Sequence, residues 1–147
     1  MKYVFLVSHG KFAEGLKTSL EMFTGDTERI FAIGLHNGKS ADDFKQEVKS
    51  LLDQHKFTAD DEFVILADLI GGSPLTSFLS VVADYGLLDR ATILGGMNFT
   101  MALTVAVSLD GMDRETLAAT ALSEAKEALK EYKVSADNAD DDDDDEI

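Results

Sequence analysis

The chain has 147 residues, 45% hydrophobic and 28% charged, with 28 acidic against 13 basic side chains and a formal net charge of −15. That length accommodates one domain with a substantial core, the lack of cysteine excludes disulfides and thiolate metal sites, and the acidic balance argues against a nucleic-acid partner. No apolar run approaches the roughly 20 residues that cross a bilayer, and the first residues lack the layout of a signal peptide, so a cytoplasmic protein is expected.

Short apolar runs alternate with amphipathic stretches, the pattern of repeated strand–helix units around a parallel sheet. A first strand is read at Lys2 to Val7, followed by Ser8-His9-Gly10 and a helix with Phe12, Leu16, Leu20 and Phe23 on one face. A second strand, Arg29 to Ile33, leads to a helix capped by Ser40 with Asp43 three residues on, whose core face is Phe44, Val48, Leu51 and Leu52. The third strand, Glu62 to Ala67, ends at Asp68-Leu69-Ile70-Gly71-Gly72, after which Ser73 as N-cap and Pro74 in the first turn open a helix through Val82. Tyr85-Gly86 closes that helix, and a fourth strand is expected at Ala91 to Leu94. Beyond Gly95-Gly96-Met97, Asn98 caps a helix to Leu109, and Asp113 starts a last helix with Leu117, Ala121, Ala125 and Leu129 on one side. Glu127 to Val134 reads as a charged helix end.

Asp137, Asp140 to Asp145 and Glu146 hold 8 of the 28 acidic residues; without them the balance is −7, an ordinary acidic globule. Like charges repel and nothing apolar is there to bury, so residues 1–134 are expected to form the domain and 135–147 a disordered acidic tail.

These elements predict an α/β fold: a doubly wound, mainly parallel sheet of order 2-1-3-4, with room for an antiparallel edge strand, flanked by helices. In that order the first and third strands are neighbours about 4.8 Å apart, and their carboxyl ends form the switch-point crevice. His9 and Asp68 would meet there, 59 positions apart in sequence, with Gly95-Gly96-Met97-Asn98 along one side.

The chemistry such a meeting serves is reversible phosphate capture. An imidazole is neutral often enough near pH 7 to act as a nucleophile, and phosphate on its nitrogen is labile enough to pass on. Asp68, accepting the proton-bearing nitrogen, would fix the tautomer, expose the other nitrogen and steady the positive charge that develops. Gly10, Gly71 and Gly72 leave backbone N–H groups open to phosphate oxygens, Ser73 offers a hydroxyl, and a helix N-terminus faces the site. No metal or other cofactor is called for.

Val7-Ser8-His9-Gly10 with Ala13-Glu14-Gly15-Leu16, then Asp68-Leu69-Ile70-Gly71-Gly72-Ser73-Pro74, then Gly95-Gly96-Met97-Asn98, resemble in that order the mannose-family IIA component of the bacterial sugar phosphotransferase system. The resemblance covers roughly residues 1 to 130. It implies a phosphocarrier in which His9 is phosphorylated on Nε2 by the phosphohistidine of HPr and discharges onto a histidine of a IIB component, with Asp68 orienting the ring and Ser73 helping to hold the phosphoryl group. Membrane IIC and IID components would be reached only indirectly, the sugar would never touch the chain, and a homodimer is implied.

Other readings are weaker. A receiver-like module phosphorylated on Asp68 would need acidic magnesium ligands after the first strand, where Ser8-His9 stands instead. A flavodoxin-type binding domain lacks the hydroxyl-rich first loop. A purely regulatory phosphohistidine domain would carry the same residues. His36, in a polar loop, and His55, ending a helix, are expected outside the chemistry, and Met97 and Met101 are read as core before docking rim.

Overall fold

In the computed structural model, which describes residues 1–135, four strands alternate with five helices. They are β1 (Lys2–His9), α1 (Phe12–Leu20), β2 (Ile30–Leu35), α2 (Ala41–His55), β3 (Glu62–Ala67), α3 (Ser73–Asp84), β4 (Ala91–Leu94), α4 (Phe99–Ser108) and α5 (Arg114–Glu127), with a 3₁₀ turn at Leu88–Arg90 before β4. The sheet order is β2-β1-β3-β4 and every pairing is parallel, so the described residues contain no antiparallel edge strand. The acidic tail expected from 135 onward lies, Ser135 apart, outside the described residues.

The inner strands β1 and β3 are buried on both faces, and side chains alternate between them. Val4 and Leu6 therefore join Val64, Leu66, Leu16, Leu20, Met101 and Val105 in one core layer, beneath α1, α4 and α5. Phe5 and Val7 join Ile65, Phe44, Val48, Phe78 and Val81 in the other, beneath α2 and α3. Met97 and Met101 are both buried in the first layer, which settles their use as packing.

The caps at Ser40, Asn98 and Asp113 form as expected, their side chains accepting the N–H of Asp43, Met101 and Thr116 at 3.0, 2.8 and 2.8 Å. Four details differ from the sequence reading. β1 and β2 run two residues further, because Ser8 and His9 continue the ladder opposite Gly34 and Leu35. In α1 the buried residues are Ala13, Leu16 and Leu20; Phe12 and Phe23 are exposed, and Phe23 lies past the helix end, edge-on to Phe99. Gly72, not Ser73, is the N-cap of α3, which places Ser73 in its first turn. α5 stops at Glu127, so Leu129 is exposed and 128–135 carry no regular structure.

Candidate functional site

His9 is the last residue of β1, and Asp68 follows the last residue of β3, with Val7 opposite Ala67 in the register. Adjacent parallel strands thus deliver the two side chains to one spot: His9 Nδ1 lies 2.9 Å from Asp68 Oδ2. The same carboxylate oxygen accepts the His9 backbone N–H at 2.9 Å, and Oδ1 accepts the Leu69 N–H at 2.8 Å. Burial pushes the Asp68 carboxyl up, but these hydrogen bonds outweigh it and hold the group below the usual carboxylate range. An ionised Asp68 has only acceptors, so Nδ1 carries a proton, and in the neutral ring the lone pair is on Nε2. The His9 side chain is 47% exposed while that of Asp68 is 16% exposed, which leaves the ring approachable and its orienting partner enclosed.

The Cε1–Nε2 edge of the ring rests against α3. A Cβ on Gly72 would stand 2.9 Å from His9 Cε1 and 3.5 Å from Nε2, so the N-cap residue of α3 touches the imidazole only because it has no side chain. Ser73, exposed, follows in the first turn, and Pro74 takes the second helical position, where its missing N–H costs no intrahelical hydrogen bond. The positive end of the α3 dipole and the unpaired N–H groups of its first turn therefore adjoin Nε2, an arrangement that favours an anion there. Gly10 turns the chain out of β1 with φ +55°, a conformation that favours glycine, and Gly71 sits in the exposed turn after Ile70.

The loop after β4 lies alongside, with Met97 N–H bonded to the Ala67 carbonyl at 2.9 Å. Ile70 packs over Gly95, where a Cβ would collide with it, and still exposes 78% of its surface; Leu69 exposes 57%. Phe12, exposed at the start of α1, adds a further apolar group at this edge of the sheet, and the three are the site's apolar rim.

Ser8 is absent from this surface. It is fully buried, and its Oγ accepts the Ala13 N–H at 2.8 Å, replacing the side-chain cap that Lys11 does not supply to α1. That role has no local signature, since the cap lies five residues before its donor. His36 binds Glu14, and His55 packs against Phe31 at a tilt of 57° with ring centroids 4.5 Å apart, so neither belongs to the His9–Asp68 pair. Two grooves of about 480 and 590 Å³ lie along β2 and beside α5, and neither is lined by His9 or Asp68. The imidazole stands at an open, shallow rim, suited to a macromolecular partner more than to an engulfed small molecule.

A doubly wound sheet whose switch point holds an oriented imidazole against a helix N-terminus defines a class, an α/β domain able to hold an anion at a histidine. Residues 3–132 match the family model described as PTS system fructose IIA component, and the chain belongs to that family. It is 26% identical over 106 residues to the PTS system fructose-specific EIIA component of Bacillus subtilis (strain 168), covering 69% of this chain and 66%, just under two thirds, of that relative's length. Among solved structures it is similar to the PTS IIA protein associated with the fucose utilization operon of Streptococcus pneumoniae, at 28% identity and TM-score 0.73, covering 88% of this chain and 92% of that one. The mannose/sorbose-specific IIA subunit of Enterococcus faecalis shares the fold, with TM-score 0.75 at 23% identity over 92% of this chain and 98% of that one. No helix among the described residues is long and apolar enough to cross a membrane.

Proposed function

We propose that the protein is a phosphocarrier that accepts phosphate on His9 Nε2 from the phosphohistidine of HPr and passes it to a histidine of a IIB component. The observation that carries this reading is the 2.9 Å contact of His9 Nδ1 with Asp68, which leaves Nε2 as the free nucleophile beside the α3 N-terminus. The Nε2 lone pair attacks phosphorus, the P–N bond of the donor breaks, and the donor imidazole leaves with its electron pair; discharge to the acceptor is the same step in reverse. Asp68 steadies the positive ring throughout, while the backbone N–H groups near Gly71 and Gly72 and the hydroxyl of Ser73 meet the phosphoryl oxygens; the Gly10 N–H is already held by the Leu35 carbonyl at 2.9 Å, so Gly10 serves the site by its turn and not by its amide. The rim of Phe12, Leu69 and Ile70 meets the partner and excludes water from the transfer. An aspartyl-phosphate on Asp68 fits less well, because both of its oxygens are occupied by His9 and Leu69. The homodimer implied by resemblance belongs to this reading and is read out by the mass of the native species.

Incubation with phosphoenolpyruvate and the general phosphotransferase proteins, followed by intact mass before and after acid, tests it. One added phosphoryl group, labile to acid and stable to base, is expected, and none in His9→Ala. Asp68→Asn is expected to keep the fold and transfer about 10- to 100-fold more slowly. Label on any residue but His9 overturns the reading.

A further inference from the structure

Three contacts join the carboxyl end of β2 to the turn after His9, and the outermost has no part in the chemistry above. Leu35 stands opposite His9 in the ladder, and its carbonyl accepts the Gly10 N–H at 2.9 Å. Gly34 packs so close to Gly10 that a Cβ there would overlap the Gly10 carbonyl oxygen. Beyond them, His36 Nε2 lies 2.6 Å from Glu14 Oε1, tying the residue after β2 to the first turn of α1 at one end of the groove along β2.

We infer that the Glu14–His36 pair is a positioning clamp for the turn that carries His9. The inference rests on the phosphocarrier reading. The turn has few other polar restraints: α1 lacks a side-chain cap at Lys11, Gly10 holds φ +55°, and among the described residues the hydrogen bonds across the junction besides the clamp are Ser8 Oγ with the Ala13 N–H and Leu35 with the Gly10 N–H. Each transfer presses another protein against this exposed turn, and a displacement of about 1 Å at a reacting atom costs on the order of 100-fold in rate. A short, charge-assisted contact between α1 and the residue after β2, outside the reacting groups, keeps the turn seated.

Amide hydrogen exchange by NMR on the full chain, paired with transfer kinetics from phosphorylated donor, tests the clamp. Glu14→Ala and His36→Ala are each expected to speed exchange at Gly10 roughly fivefold, the scale of a partly exposed side-chain pair, while the Ile65 and Leu66 amides of β3 are unchanged. Each is expected to lower the maximal transfer rate by about the same factor with KM for the donor unaltered. The double variant should add nothing, and Glu14→Gln, which keeps an acceptor, should recover most of the loss. Additive effects, Gly10 exchange that stays at the wild-type rate or moves only in step with β3, or full transfer with a loosened Gly10 overturn the clamp. Should the wild-type chain take up no phosphate, the phosphocarrier reading falls, and Gly10 exchange still decides whether the pair holds the turn.

Discussion

His9 has one nitrogen committed to Asp68 and the other beside Gly72, so a residue with no side chain sets the space around the ring's second nitrogen. A methyl at Gly72 would lie 2.9 Å from Cε1, closer than carbon atoms pack, and the ring is the part free to yield. Rotation away from α3 would strain the bond to Asp68 and carry Nε2 off the helix N-terminus. Gly72→Ala is therefore expected to slow transfer at least about tenfold, while thermal unfolding stays within a few degrees of wild type, since the backbone at Gly72 has φ −80° and tolerates alanine. An unchanged rate in that variant would mean that the ring is not seated against α3 when phosphate moves.

Among the elements, α4 depends most on one side chain. Asn98 Oδ1 accepts the Met101 N–H at 2.8 Å, and Nδ2 donates to the Ala125 carbonyl at 3.1 Å, so the cap of α4 also ties down α5. Ser40, by contrast, caps α2 with a single bond. Asn98→Ala is expected to cost about 1–2 kcal/mol in urea denaturation, more than Ser40→Ala, because a cap and a long-range bond are lost together. Both caps were legible in the sequence, since a polar residue before an apolar-periodic run is a local signal, and β3 and β4 were legible because apolar runs bounded by polar residues mark their own limits. Ser8 and His9 were read as loop for the same reason: they are not apolar, and only pairing with Gly34 and Leu35 makes them strand. Within the site, His9 and Asp68 follow from sheet order alone, whereas the approach of Gly72 to the ring, the buried cap by Ser8 and the Glu14–His36 contact join residues that no spacing rule connects.

Across the whole molecule the sheet has two unlike ends. The carboxyl ends of the strands carry His9, Asp68 and the apolar rim; the amino ends are laced to the α4–α5 turn. Arg29 forks onto Asp110 with contacts of 2.9 and 2.7 Å and also reaches the Lys2 carbonyl, while Lys2 Nζ donates to the Met112 carbonyl at 2.8 Å. The hydrogen bonds from Arg29 hold the Asp110 carboxyl below its ordinary value. A carboxyl depressed in the folded state stabilises the protein above its unfolded value, about 3.9, and that contribution disappears as pH falls through the lower folded value. Asp110→Asn is thus expected to lower the urea midpoint at pH 7, with the two proteins converging as the pH drops below about 4. Comparing the pair at each pH cancels the relief of repulsion that a chain of net charge −15 gains on acidification. Transfer by Asp110→Asn at pH 7 should match wild type, because the fork lies at the far end of β1 and β2 from His9. A slowed transfer would show instead that fastening one end of the sheet sets the geometry of the other.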